Sequence, residues 1–205
     1  DVVKVGENFG SVFELLNADS FAKLLINGRY TMDEIVDMDV ELIKKIHATE
    51  VKEGDMPSMK AVAVDWVDFL KDHLPEDEWK KLNKMMNDIP ETHHMLHGDY
   101  HLKNVMMQNG EVLLIDMDTL CMGHPVFELG SMFNAFLGYS ELDHQVTMNF
   151  FGFSHETAGK FWDMVLKMYL GTEDEAYCQS VVEKAKVIGY TRMLRRAIRR
   201  TQDAD

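Results

Sequence analysis

Apolar positions along the chain fall into two rhythms. From Asp33 to Thr49 they recur at Ile35, Val36, Val40, Ile43 and Ile46, the spacing of one helix face. A second helix is predicted over 58–74, with Val62, Trp66, Phe69 and Leu70 on one side. Pro75 followed by Glu76-Asp77-Glu78 reads as the start of a third, its acids at the positive end, and Pro90 closes that region. Further helices are expected over Val126–Phe136, from a Ser154 cap to about Leu170, and from a Thr172/Glu175 capping box to the basic C-terminal stretch. A short helix over Phe21–Ile26 stops at Asn27-Gly28. Strands are few. Val2–Val5 and Ser11–Leu16 are rich in β-branched and aromatic residues and flank a turn at Gly6–Gly10. A second hairpin turns at Asn109-Gly110, before the apolar run Val112-Leu113-Leu114-Ile115.

The chemistry sits around that second hairpin. His97-Gly98-Asp99-Tyr100-His101-Leu102-Lys103-Asn104 has the H-x-D-x-x-x-x-N spacing of a kinase catalytic loop. In such a loop the Asp accepts the proton of the attacking hydroxyl and the Asn holds a magnesium ion. Asp116 ends the apolar run, where a kinase places its second magnesium ligand. The order is loop, strand, turn, strand, acid, so the hairpin returns Asp116 to Asn104 and both can share a metal. Asp99 is therefore the expected catalytic base, with Asn104 and Asp116 as oxygen ligands suited to hard magnesium. Strand alternation would send Asp118 to the same side as Asp116, as a further ligand or as a plain surface acid. His97 is expected to brace the loop and His101 to face a substrate. The alternative for His93, His94, His97 and His101 is a zinc site, which has no Cys nearby to support it.

With Gly98 where a protein kinase has Arg, the motif resembles the aminoglycoside phosphotransferase and choline kinase group of small-molecule kinases. The resemblance continues through Ile115-Asp116-Met117-Asp118 and Gly123-His124-Pro125-Val126-Phe127-Glu128-Leu129. The usual form of that last stretch is G-D-P-x-x-D-L, and here His124 and Glu128 replace its two acids. The likeness is strong over 97–129 and weaker elsewhere. It implies an α+β, predominantly helical fold: a protein-kinase-like C-terminal lobe (18–205) with a central catalytic β-hairpin, preceded by a remnant of the N-lobe sheet and hinge (1–17). It implies ATP as phosphoryl donor, magnesium as cofactor and a small-molecule alcohol as acceptor. It also implies that adenine meets the backbone near Glu14 and Leu16, over a floor of Met106 and Ile115, and that Glu128 supports the catalytic loop.

Other features bound this picture. No G-x-G-x-x-G occurs, and about a dozen residues precede the hinge, too few for a phosphate-clamping Lys–Glu pair. The sequence therefore reads as a C-lobe with the last N-lobe strands, incomplete for turnover on its own; the competing reading is a non-catalytic C-lobe module. A protein kinase is the weaker alternative, since Asp116 does not begin a D-F-G and no A-P-E follows. The formal charge of −14 disfavours nucleic acid and anionic membrane and could favour a cationic acceptor. No apolar run reaches membrane-spanning length, and no basic patch with an apolar block opens the chain, so no membrane partner is expected. Two Cys do not make a disulfide framework, which points to a cytoplasmic setting. Sixteen Met read as adaptable core filler or as a binding groove. Arg192, Arg195, Arg196, Arg199 and Arg200 either complement the last helix's dipole or form a binding face. The apolar N-terminal strands are expected to pair with a second copy of the chain or to be poorly ordered.

Overall fold

The structure is a computed structural model, and it describes residues 2–202. Strands β1 (Val2–Val5) and β2 (Asn8–Ser11) form an antiparallel ribbon with Val2 opposite Ser11. The second strand was expected over Ser11–Leu16. Instead Gly6, at φ +64°, turns the chain within two residues, pulling the pairing forward and leaving 12–18 without regular structure. β3 (Asp19–Ser20) leads directly into α1 (Phe21–Ile26), whose first turn is capped by the Ser20 hydroxyl. α2 (Met32–Ala48) starts at a full capping box, Thr31 with Glu34, and buries the expected stripe of Ile35, Val36, Val40, Ile43 and Ile46.

α3 (Met59–Phe69) ends in a 3-10 turn over Leu70–Asp72, short of the expected Leu74. Its buried face is Ala63, Trp66, Val67 and Leu70, whereas Val62 lies at the exposed edge. α4 (Glu76–Asp88) follows, with its three acids in the first turn. β4 (Met95–Leu96) carries the chain into the loop 97–104. β5 (Val105–Gln108) and β6 (Glu111–Leu114) form the predicted hairpin, and β7 (Cys121–Met122) pairs back on β4. α5 (Val126–Phe136), α6 (Gln145–Phe151), α7 (His155–Leu170) and α8 (Glu175–Gln202) complete the chain. Asp174 caps α8, accepting from the Tyr177 amide at 3.0 Å, and Thr172, two residues upstream, accepts from the Asp174 amide. The expected Thr172/Glu175 box is thus displaced by the better-placed carboxylate.

Apolar side chains from α1, α2, α5 and α7 meet the inner face of the β5–β6 hairpin in the main core. A second cluster joins α3, α4, β4 and α5. α5 and α8 cross closely at two glycines: a Cβ on Gly189 would lie 2.5 Å from Asn134 Oδ1, and one on Gly130 2.7 Å from Ile188. That crossing sets α8 beside the loop 97–104. Among the described residues no helix is long and apolar enough to cross a membrane. Cys121 and Cys178 are both free.

Candidate active site

Four helices hold the loop 97–104. From α5, the buried Glu128 carboxylate accepts the backbone amides of His97 at 2.5 Å and Gly98 at 3.1 Å. Burial alone would raise the pKa of this acid. The His47 ring, 3.9 Å away, and the loop amides win, and its pKa is held below the ordinary glutamate value. His47, on α2, is fixed in turn by the Tyr169 hydroxyl of α7 at 2.7 Å. The fully buried Tyr100 donates its hydroxyl to the backbone oxygen of Asp39 on α2 at 3.0 Å and to its carboxylate at 3.1 Å. Burial pushes the Asp39 carboxyl up to about 7, only partly offset by that hydrogen bond. From α8, Arg192 donates to the Gly98 carbonyl at 3.3 Å and to Ser131 at 2.8 Å.

Gly98 is required here on two counts. Its φ is +83°, and a Cβ would lie 2.3 Å from the Thr119 carbonyl oxygen. The Thr119 hydroxyl closes the same contact by donating to the His97 carbonyl at 2.8 Å.

His97 is fully buried and works as a brace. Its Nδ1 accepts from the Asp99 amide at 3.3 Å, so its Nε2 carries the proton donated to the Ile115 carbonyl at 3.0 Å. One neutral ring therefore ties the loop to the residue before Asp116. The Ile115 amide also donates to the Asn104 carbonyl at 3.0 Å, and Val105 pairs with Leu114. The two segments are thus in register where Asn104 and Asp116 stand.

Asp99, Asn104 and Asp116 line one cleft of about 800 Å³, with His101 and Ile115 beside them. The Asn104 side-chain nitrogen donates to the Asp99 carbonyl at 3.0 Å, which leaves its oxygen for a ligand. Asp116 sits in the left-handed region, at φ 59° and ψ 54°. That conformation is uncommon outside Gly and Asn and recurs at functional turns. It ends the strand and begins a 3-10 turn over Met117–Thr119, so alternation does not carry across to Asp118. Asp118 is an exposed residue outside the cleft lining, which corrects the expectation that it shares the side of Asp116.

An amide oxygen and a carboxylate make a hard donor pair that fits magnesium completed by phosphate oxygens. Among the described residues no group of three or more His, Cys, Asp or Glu is arranged to hold a metal. The four histidines considered for zinc diverge: His97 binds Ile115, His101 Nδ1 accepts from the Lys103 amide, His94 lines a separate cleft and His93 is exposed. His101 Nε2 lies 3.8 Å from the Asp99 carboxylate. Burial depresses its pKa, although Asp99 pulls the other way.

Of the residues assigned to the nucleotide, Ile115 lines the cleft. Met106 faces outward on β5, opposite Leu113, while Val105 and Met107 face the core. Leu113 belongs to that same open face, and strand alternation would have found it. Glu14 and Leu16 lie in the irregular segment before β3, which reaches the hairpin through the Ser20–Met106 pair, and neither lines the cleft. Sequence reasoning missed Asp39, His47 and Ser131 as supports. No motif marks them, because their roles come from long-range packing.

Residues 42–162 match the phosphotransferase enzyme family. No curated protein sequence matches the chain. Among solved structures, the apo form of a thermostable mutant of the aminoglycoside phosphotransferase APH(4)-Ia is similar, with TM-score 0.52 and 15% identity over 93% of this chain and 75% of that one. A ternary complex of such a mutant with AMP-PNP and hygromycin B gives 0.50 and 15% over the same shares. A choline/ethanolamine kinase family protein from Mesorhizobium loti gives 0.43 and 14%, over 92% of this chain and 73% of that one. The fold is the protein-kinase-like one of the two aminoglycoside phosphotransferase structures, and the chain belongs to the phosphotransferase enzyme family.

Proposed function

We propose that this chain carries the catalytic lobe of an ATP- and magnesium-dependent enzyme that phosphorylates the hydroxyl of a small molecule. The observation that carries the reading is the convergence of Asp99, Asn104 and Asp116 on one open cleft. The Asp99 side chain is 40% exposed, while its backbone is pinned by His97 and Asn104. It can orient an acceptor alcohol and take its proton as the new oxygen–phosphorus bond forms and the bond to the departing ADP breaks. Asn104 and Asp116 would hold magnesium, which would neutralise negative charge on the phosphates. Met106, Leu113 and Ile115 would floor the adenine, with the segment around Glu14 and Leu16 as hinge. Residues 1–17 then belong to the nucleotide lobe and 18–205 to the catalytic one.

The sequence carries no G-x-G-x-x-G, the loop that covers the phosphates in protein kinases. The same feature supports the second reading, a binding module without turnover. Asp99→Ala separates the two. On the enzyme reading, ATP-dependent phosphorylation falls by roughly 10²–10⁴ while nucleotide affinity is kept, because the base acts on the acceptor. Equal turnover in that variant removes Asp99 from the mechanism.

A further inference from the structure

The cleft that holds Asp99 is also lined by guanidinium groups. Arg192, Arg196 and Arg200 stand four residues apart on α8, which keeps them on one helix face, and all three line the cleft. Lys103 lines it too, set over the Phe150 ring at 4.7 Å. The chain has 35 acidic residues against 21 Lys and Arg. Yet among the described residues Arg29 is the one arginine in an ion pair. Arg192 is used by the loop carbonyl and Ser131. Among the described residues Arg196 meets a neutral group, the Tyr139 hydroxyl at 3.3 Å, and the Tyr139 ring beneath it. Arg200 has no hydrogen-bond or ion-pair partner among the described residues. Like charges stacked at this spacing repel one another.

The helix dipole does not account for the row. Its field favours cations within the last turn, and α8 runs to Gln202, so Arg192 and Arg196 lie beyond its reach. The overall charge is equally uninformative here. It describes the outer surface, whereas recognition is set by the groups that face the ligand. Guanidinium groups match carboxylate and phosphate oxygens in geometry and charge.

We propose that the molecule this cleft accepts carries a carboxylate or phosphate group, bound by Arg196 and Arg200, while its hydroxyl lies at Asp99. The acceptor is then an anionic alcohol, in place of the cationic one that net charge suggested. Its role as acceptor rests on the phosphotransferase reading, whereas the anion site rests on the arginines.

Calorimetry on the full chain with four small alcohols tests the idea: glycerate, glycerol 2-phosphate, glycerol and ethanolamine. At least one anionic probe should bind about tenfold or more tighter than glycerol and ethanolamine. Comparing glycerate with glycerol 2-phosphate tells carboxylate from phosphate. The double variant Arg196→Gln/Arg200→Gln should erase the advantage. Both side chains are exposed, so the variant keeps its fold, and Arg192 is left in place to support the loop. Equal or tighter binding of glycerol or ethanolamine overturns the proposal. So does an unchanged anion affinity in the double variant, including the case in which only Mg-ATP binding is lost and the arginines serve the nucleotide. Transfer from γ-labelled ATP is read separately. Arginine-dependent anion binding leaves the anion site standing whether or not transfer is seen, and the phosphotransferase reading is tested apart from it by Asp99→Ala.

Discussion

Asp39 offers a sharp test of how the loop is anchored. Its side chain is buried with Oδ1 bonded to Tyr100 and Oδ2 without a partner. Burial lifts its carboxyl from 3.8 to about 7. The folded protein therefore keeps the proton up to about pH 7, whereas the unfolded chain releases it near pH 4. Between those values the folded state binds more protons, so this residue lowers stability as pH rises through the window and adds nothing further above it. A shift of that size corresponds to ~4 kcal/mol across the window. Asp39→Asn abolishes this dependence and keeps an acceptor for Tyr100. It also places an NH₂ where Oδ2 had no partner, at a constant cost of ~1–3 kcal/mol. The variant should be less stable than the parent near pH 4 and more stable above about pH 7, with the curves crossing between. Urea titrations of both proteins across this range measure the difference, in which other titrating groups cancel. A difference that stays constant with pH would show that Asp39 does not hold its proton in the folded state.

Removing Glu128 orphans two loop amides, so Glu128→Ala should cost ~2–6 kcal/mol in denaturant unfolding; a cost under ~1 kcal/mol would mean the amides find other partners. Because its carboxyl is held below the usual 4.5, its contribution is complete above that pH and is lost as pH falls through the folded value, which acid titration of the parent against Glu128→Gln can follow. Gly98→Ala should lose at least ~2 kcal/mol, from the left-handed backbone and the clash with Thr119, and a soluble variant of parental stability would contradict that geometry. The ribbon β1–β2 and the segment after it expose Phe9, Phe13 at 85% and Leu15 at 94%, so light scattering should show association that weakens in Phe13→Ser/Leu15→Ser; a monomeric parent ends the pairing idea.

Local grammar made most of the helical frame legible. The α2 stripe, the Ser154 cap and the Asn109-Gly110 turn each declare themselves within a few residues, because capping and periodicity are short-range effects. What stayed hidden depends on distant partners. β3, β4 and β7 are two residues each and exist only because β5 or one another lies alongside. α6 has seven residues and no side-chain cap. The Val62 face was misread because α3 packs on both α4 and α8, which choose Ala63 and Val67. At the site, the motif located Asp99, Asn104 and Asp116, since their spacing is fixed by one hairpin. Asp118 failed because alternation presumes a continuing strand, and Asp116 breaks it. The row of arginines was visible as a pattern, but only the α5–α8 crossing shows which cleft it faces.

The loop's attachments to α2, α5 and α8 have a consequence for timing. None of them involves the hairpin's outer face or the N-terminal ribbon, where a nucleotide would rest. On the proposed reading, arrival of ATP would have no ordering of Asp99 to drive, and little binding energy would be diverted to that end. Such a site waits already assembled, and the slow step shifts to whatever must close over the phosphates or let the product leave. Variants that loosen Tyr100 or Glu128 would move the bottleneck back to the loop, and turnover would then follow the rate at which it reorders.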